Sequence, residues 1–136
     1  MVEFAIYQPS IKPTMTTHQP LSESALAQFT GSEHWYQHGL TGTRYTDGAK
    51  YVADTAGAYW LLDEIAIAQA FEKALQREEF QVWVLEVRPD KTARLWCSDG
   101  NDDNVVFAKE LEFTDFPPPG VTLWFANDTI FLPSEY

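Results

Sequence analysis

The chain has 136 residues, 45% hydrophobic and 15% aromatic, and a formal net charge of −11. That apolar content excludes a disordered chain, while twenty Asp and Glu against nine Lys and Arg disfavour direct binding to nucleic-acid backbones or anionic lipid. The single cysteine, Cys97, excludes an intrachain disulfide and a thiolate metal cluster.

Residues 1–20 form an N-terminal arm. Val2, Phe4 and Ile6 alternate with Glu3 and Ala5 as in a short strand, and Pro9, Pro13 and Pro20 then punctuate a polar stretch. With Met15 just ahead of the domain, a later start is an alternative reading. A single domain follows over residues 21–136. Its first, short helix spans about Glu23 to Thr30, with Ser22 as N-cap, Leu21 and Leu26 at staple spacing and Gly31 at the C-terminal end. An aromatic, turn-rich stretch comes next and reads as two short strands, through Glu33-His34-Trp35-Tyr36-Gln37-His38 and Arg44-Tyr45-Thr46-Asp47-Gly48, with Gly39 and Gly42 between them. The long helix runs from about Ala56 to Leu75, capped by Asp54 or Thr55. One face carries Ala58, Leu61, Leu62, Ile65 and Ala68; a second stripe carries Trp60, Ile67, Phe71 and Ala74. A helix apolar on two sides is covered on two sides, by the sheet and by either the arm or a second subunit.

From Phe80 the chain is β. Phe80–Val87 is apolar on both faces, as in a central strand covered above and below. Strands follow at Ala93–Ser98 and from Val105 to Phe113, with Lys109 as a misfit. The last two, Val121–Ala126 and Thr129–Leu132, flank an Asn127-Asp128 hairpin turn. The expected fold class is α+β: an antiparallel meander packed by one long and one short helix. No apolar run approaches the roughly twenty residues of a membrane helix. The N-terminus has no basic region of the kind that opens a signal peptide, so the expected setting is cytoplasmic.

Five strings stand out: Phe29-Thr30-Gly31-Ser32-Glu33-His34-Trp35-Tyr36, Tyr45-Thr46-Asp47-Gly48, Tyr59-Trp60-Leu61-Leu62-Asp63, Thr114-Asp115-Phe116-Pro117 and Leu132-Pro133-Ser134-Glu135-Tyr136. Together they resemble an uncharacterised bacterial family of small proteins, often cyanobacterial or plasmid-borne, classed as a domain of unknown function. The resemblance covers about residues 21–136. It implies a bacterial, cytoplasmic single domain and carries over no activity.

Three groups of residues could carry chemistry. Asp99, Asn101 and Asp103, with Glu110 at position 12, approach a calcium-loop pattern. Asn104 stands where that loop needs glycine, and the preceding segment is a strand, so the segment reads as a polar hairpin turn. His34 and His38 lie near Glu33 and Asp47, but on a straight strand their Cα atoms sit about 13 Å apart, too far for a two-ligand clamp. Tyr59 and Asp63, one helical turn apart, could line a pocket with Tyr36, Asp47 and Tyr51. Phosphate loops, nucleophile elbows and dinucleotide fingerprints are absent, so no cofactor is expected.

The leading expectation is a non-enzymatic protein-interaction or accessory module of bacterial or mobile-element origin, with Trp60, Ile67 and Phe71 as the interface and a homodimer as one form. A small hydrolase using His34, Asp47 and Asp63 is the alternative. A third possibility is nucleic-acid mimicry by regularly spaced carboxylates.

Overall fold

A computed structural model describes residues 21–101 and 104–136; the expected arm over residues 1–20 and the loop residues Asp102 and Asp103 lie outside the described residues. The fold is mixed α+β. Seven strands form one sheet: β1 (Trp35–Gln37), β2 (Arg44–Thr46), β3 (Phe80–Val87), β4 (Ala93–Ser98), β5 (Val105–Leu111), β6 (Gly120–Ala126) and β7 (Thr129–Phe131). Four α-helices, α1 (Glu23–Leu26), α2 (Asp47–Ala56), α3 (Tyr59–Phe71) and α4 (Lys73–Gln76), join them, and a 3-10 turn spans Pro133–Glu135.

The expected meander is corrected by the strand order β1-β2-β7-β6-β3-β4-β5. From β3 to β7 every neighbouring pair is antiparallel, but β2 runs parallel to β7, with Arg44 opposite Thr129 and Tyr45 opposite Ile130. This short junction is reinforced by Arg44, whose amide donates to Asp128 O at 2.9 Å and whose guanidinium donates to Asn127 O at 3.1 Å. Asn127 and Asp128 both take positive φ, 52° and 57°, as the two-residue hairpin between β6 and β7 requires.

The expected single long helix is also corrected. Asp47-Gly48 reads in sequence as a turn, yet it opens α2. The first-turn amides find tertiary and local acceptors: Asp47 N donates to Ser32 Oγ (2.9 Å), Gly48 N to Glu135 Oε2 (3.1 Å) and Ala49 N to Thr46 Oγ1 (3.3 Å). Gly48 leaves room for this contact: a Cβ there would lie 2.5 Å from Glu135 Oε1 and 2.7 Å from Leu132 Cδ1, so those side-chain ends would have to shift. Gly57, left-handed at φ 62°, ends α2 inside the stretch expected to be continuous. Glu72 is extended and separates α3 from α4 with no Gly or Pro to mark the break. There the Gln76 side chain donates to Gln69 O (3.4 Å) and Ala70 O (3.3 Å), supplying donors to the carbonyls at the end of α3. The first helix is shorter than expected: Ser22 caps it, but it closes at Ala27, ahead of Gly31.

Helices α2 and α3 cover one face of the sheet. Leu61, Leu62, Ile65 and Ala68 of α3 are buried against an inner layer that includes Trp83, Leu85, Leu95, Cys97, Leu123 and Ile130. The opposite side of β3 is only half-buried at Phe80, Val82 and Val84 and exposed at Glu86, so the strand is sealed on one face alone. Lys109, the misfit on edge strand β5, reaches Glu64 of α3 at 2.7 Å. An inward-facing charge on an edge strand also discourages pairing with another chain.

One buried side chain ties these layers together. Gln81 is fully buried. It exchanges paired amide bonds with Gln69 of α3 (2.8 and 2.9 Å), donates to Leu75 O (3.2 Å) and Glu78 O (3.3 Å), and accepts from Trp83 Nε1 (2.9 Å). Replacing it would leave buried donors and acceptors unsatisfied, at about 1–3 kcal/mol each. Gln81→Leu is therefore expected to lower the unfolding free energy by about 3 kcal/mol in a urea titration. Glu135→Ala, which removes acceptors from Gly48 N, Thr46 Oγ1 (2.6 Å) and Leu132 N (2.8 Å), is expected to cost about 2–3 kcal/mol in the same measurement.

Candidate functional site

A row of polar side chains runs where the β1–β2 hairpin meets α2 and α3. Period-two alternation puts His34, Tyr36 and His38 on one side of the first strand and its flanks, and α2 and α3 present Asp47, Lys50, Asp54, Tyr59 and Asp63 toward them. The row divides into two depressions. The first, of about 510 Å³, is lined by Tyr36, Asp47, Lys50, Tyr51 and Asp54. The second, of about 410 Å³, is lined by His38, Leu40, Tyr45, Tyr59, Asp63 and Ile67. Tyr36 and Tyr45, opposite one another on β1 and β2, stack at 5.5 Å between ring centres.

In the first depression Asp47 is the hub. Its carboxylate accepts from Tyr36 Oη (3.0 Å) and from the amides of Glu33 (3.2 Å) and His34 (3.4 Å). The exposed His34 imidazole lies 3.7 Å away. Desolvation opposes ionisation of Asp47, but the bonds from Tyr36, Glu33, His34 and Ser32 outweigh it and hold the carboxyl below its ordinary range. The Asp47 bond, with desolvation, raises Tyr36 in turn. Lys50 donates to Asp54 at 2.7 Å, and the Tyr59 hydroxyl donates to the same carboxylate. Those two bonds, Lys50 first, lower Asp54, while the Asp54 bond pushes Tyr59 up to about 12. Tyr59 thus lines one depression and bonds into the other.

In the second depression, His38 Nε2 lies 2.7 Å from Asp63 Oδ1. The Thr41 amide (3.2 Å) and hydroxyl (3.0 Å) converge on Nδ1. Because Nδ1 accepts from the Thr41 amide, the ring proton belongs on Nε2, pointing at Asp63. This array fastens the turn after β1 to the middle of α3.

The expected residues therefore separate. Tyr36, Tyr51, Asp47 and His34 fall in or beside the first depression; Tyr59 and Asp63 line the second, and Asp63 partners His38 rather than His34. The trio His34, Asp47 and Asp63 is not gathered into one depression. Lys50, Asp54 and Glu135 were missed in the sequence; the Lys50–Asp54 pair has i,i+4 spacing, a signal that depends on recognising α2 as a helix.

Of the calcium-loop residues, Asp99 accepts from Asn101 N (3.0 Å) and Asn104 Nδ2 (2.5 Å), Asp103 lies outside the described residues, and Glu110 sits along β5 opposite Arg94, 3.2 Å from Arg88 Nη1. Among the described residues no group of three or more His, Cys, Asp and Glu is placed to hold a metal ion. Burial pushes the Cys97 thiol up to about 12, leaving it protonated and unreactive. Among the described residues, no helix is long and apolar enough to cross a membrane.

A family model described as a family of unknown function (DUF6876) matches residues 20–136. Neither the curated proteins nor the solved structures compared with the chain gave a match.

The hub at Asp47 has a consequence for acid stability. Its folded pKa lies below the unfolded value of about 3.9, so its contribution is present above that value and is lost as pH falls through the folded pKa. Asp47→Asn is expected to be less stable than the parent at neutral pH and to lose less further stability on acidification. Urea midpoints measured from neutral pH down into the acid limb check this; parallel curves would show that Asp47 is not the group responsible.

Proposed function

We propose that this chain, which belongs to that family of unknown function, is a non-enzymatic protein-interaction module that self-associates through the outward face of α3. One observation carries the reading. Trp60, Ile67 and Phe71 lie along one line of the helix, turned from the face that Leu61, Leu62 and Ile65 bury, with Trp60 also packed partly against the core. Phe71 is 77% exposed, and Trp60 and Ile67 are half-buried. Exposed Leu40 extends this apolar surface at the second depression.

The line suits pairing with its own copy. Trp60 and Phe71 are separated by about 16 Å along the helix axis. Two such helices packed antiparallel about a two-fold axis near Ile67 and Glu64 would set Trp60 of each against Phe71 of the other, a self-complementary contact. Aromatic anchors within a polar rim are the usual composition of such surfaces. The flanking Glu64 is already paired with Lys109, and Asp63 accepts a hydrogen bond from His38. The separation of His34 and Asp47 from Asp63, which lines the other depression and partners His38, supports the non-enzymatic side of the reading. The bacterial or mobile-element setting rests on the resemblance of the five strings.

Each copy carries a net charge of −11, so long-range repulsion opposes pairing and salt is expected to strengthen it. Sedimentation velocity is expected to show a concentration-dependent dimer for the parent chain, tighter at higher salt. Ile67→Glu and Phe71→Glu should be monomers with unchanged circular dichroism, since neither side chain is part of the buried core. A parent chain that stays monomeric at its solubility limit in high salt would sink the proposal.

A further inference from the structure

The face of the sheet opposite α2 and α3 carries a groove of about 570 Å³, lined by residues including Leu21, Leu26, Val84, Trp96, Val121 and Pro133. Its floor follows from strand register: Val84 of β3 stands between Thr122 of β6 and Trp96 of β4, and next to it Val82 faces Trp124. These outward side chains are half-buried. Helix α1 closes one end, fixed there by Ser134 Oγ donating to Leu26 O at 3.2 Å. With only four residues, α1 covers one corner of a face that no other described helix covers.

We propose that this groove is the seat of the chain's own N-terminal segment, with Val2, Phe4 and Ile6 packed against Val84, Trp96 and Thr122. Leu21, the first described residue, is itself a wall of the groove, so the preceding chain starts at the rim. Residues 7–20 can span at most about 50 Å when extended. The eight-residue β3 is about 26 Å long, so Ile6 can reach any part of the floor. Val2, Phe4 and Ile6 recur with period two and can all point to one side. The seat needs no backbone pairing, because β3 is already bonded to β4 and β6 along its length. Pro9, Pro13 and Pro20 therefore do not impede it. Glu23 and Glu86 are the charged residues lining the groove, and residues 1–20 carry one Glu and one Lys, so charge neither selects nor excludes this occupant; reach and periodicity assign it. This seat lies on the side of the molecule away from the α3 surface and stands or falls independently of it.

The experiment uses the full chain, enriched in nitrogen-15, with Ala5→Cys carrying a nitroxide; buried Cys97 stays unlabelled. Paramagnetic broadening is expected to remove most of the amide intensity at Val84, Trp96 and Thr122 and to leave α3 around Ile67 intact. Intact groove signals, or equal loss on both sides of the molecule, would overturn the assignment. In a mixture of labelled unenriched chains with unlabelled enriched chains, the groove signals are expected to stay sharp. Broadening there would give the groove to the segment of a second copy and overturn the intramolecular seat. Adding Phe4→Asp and Ile6→Asp to the labelled chain is expected to restore the groove signals; persistent broadening would exclude seating by these side chains.

Discussion

The N-terminus of α2 is the constraint on which the rest of this structure hangs. Two carboxylates meet it, Glu135 from the C-terminal turn and Asp47 from the helix's own first turn, where the helix dipole favours negative charge. Glu135 also accepts from Thr46 Oγ1 and Leu132 N, so one side chain joins the end of β2, the start of α2 and the last turn of the chain. Asp47 meanwhile collects the hairpin segment around Glu33 and Tyr36. The parallel β2–β7 contact involves two residue pairs, too few to hold the β1–β2 hairpin on the sheet by ladder bonds alone. The carboxylate lock supplies the remainder, and Gly48 leaves the space in which it sits.

A second polar device acts on the inner side of the sheet. Gln81 sits where an apolar residue would pack, and its amide accounts for the carbonyls of Leu75 and Glu78 and the indole of Trp83. Because Gln69 pairs with it reciprocally, the network fixes α3 against β3, and the chain that leaves α4 is held before β3 begins. Such a network is costly when half made and specifying when complete. Here it positions the helix whose outer face carries Trp60, Ile67 and Phe71.

These two devices account for much of what the five sequence strings do. The string from Phe29 to Tyr36 supplies the donors that surround Asp47. Tyr45–Gly48 and Leu132–Tyr136 meet in the Glu135 lock. Tyr59–Asp63 reaches back to Asp54 and His38, and Thr114 accepts from Phe116 N in a local turn that leads the buried Phe116 into the core. The candidate residues Asp47, Tyr59 and Asp63 therefore also fasten the β1–β2 hairpin, α2 and α3 to one another.

The sequence by itself determined the α+β class, the bounds of β3 and β4, the β6–β7 turn, the Ser22 cap and the inner face of α3, because each depends on local periodicity or turn chemistry. It also marked the second apolar stripe of α3. It did not reveal α2, whose first amides are accepted by the local cap Thr46 and by Ser32 and Glu135, 15 and 87 residues away from the amides they accept. Nor did it reveal the break at Glu72, which answers to Gln76 and the packing around Gln81, or the parallel β2–β7 contact, which joins opposite ends of the domain. The partition of the candidate site is of the same kind: His34, Asp47 and Asp63 are close in composition and spacing, but the hairpin and two helices carry Asp63 to a different imidazole. Local pattern chose most of the elements; tertiary hydrogen bonds, such as the one between Thr46 and Glu135 across 89 residues, decided how α2 is anchored and which carboxylate meets which donor.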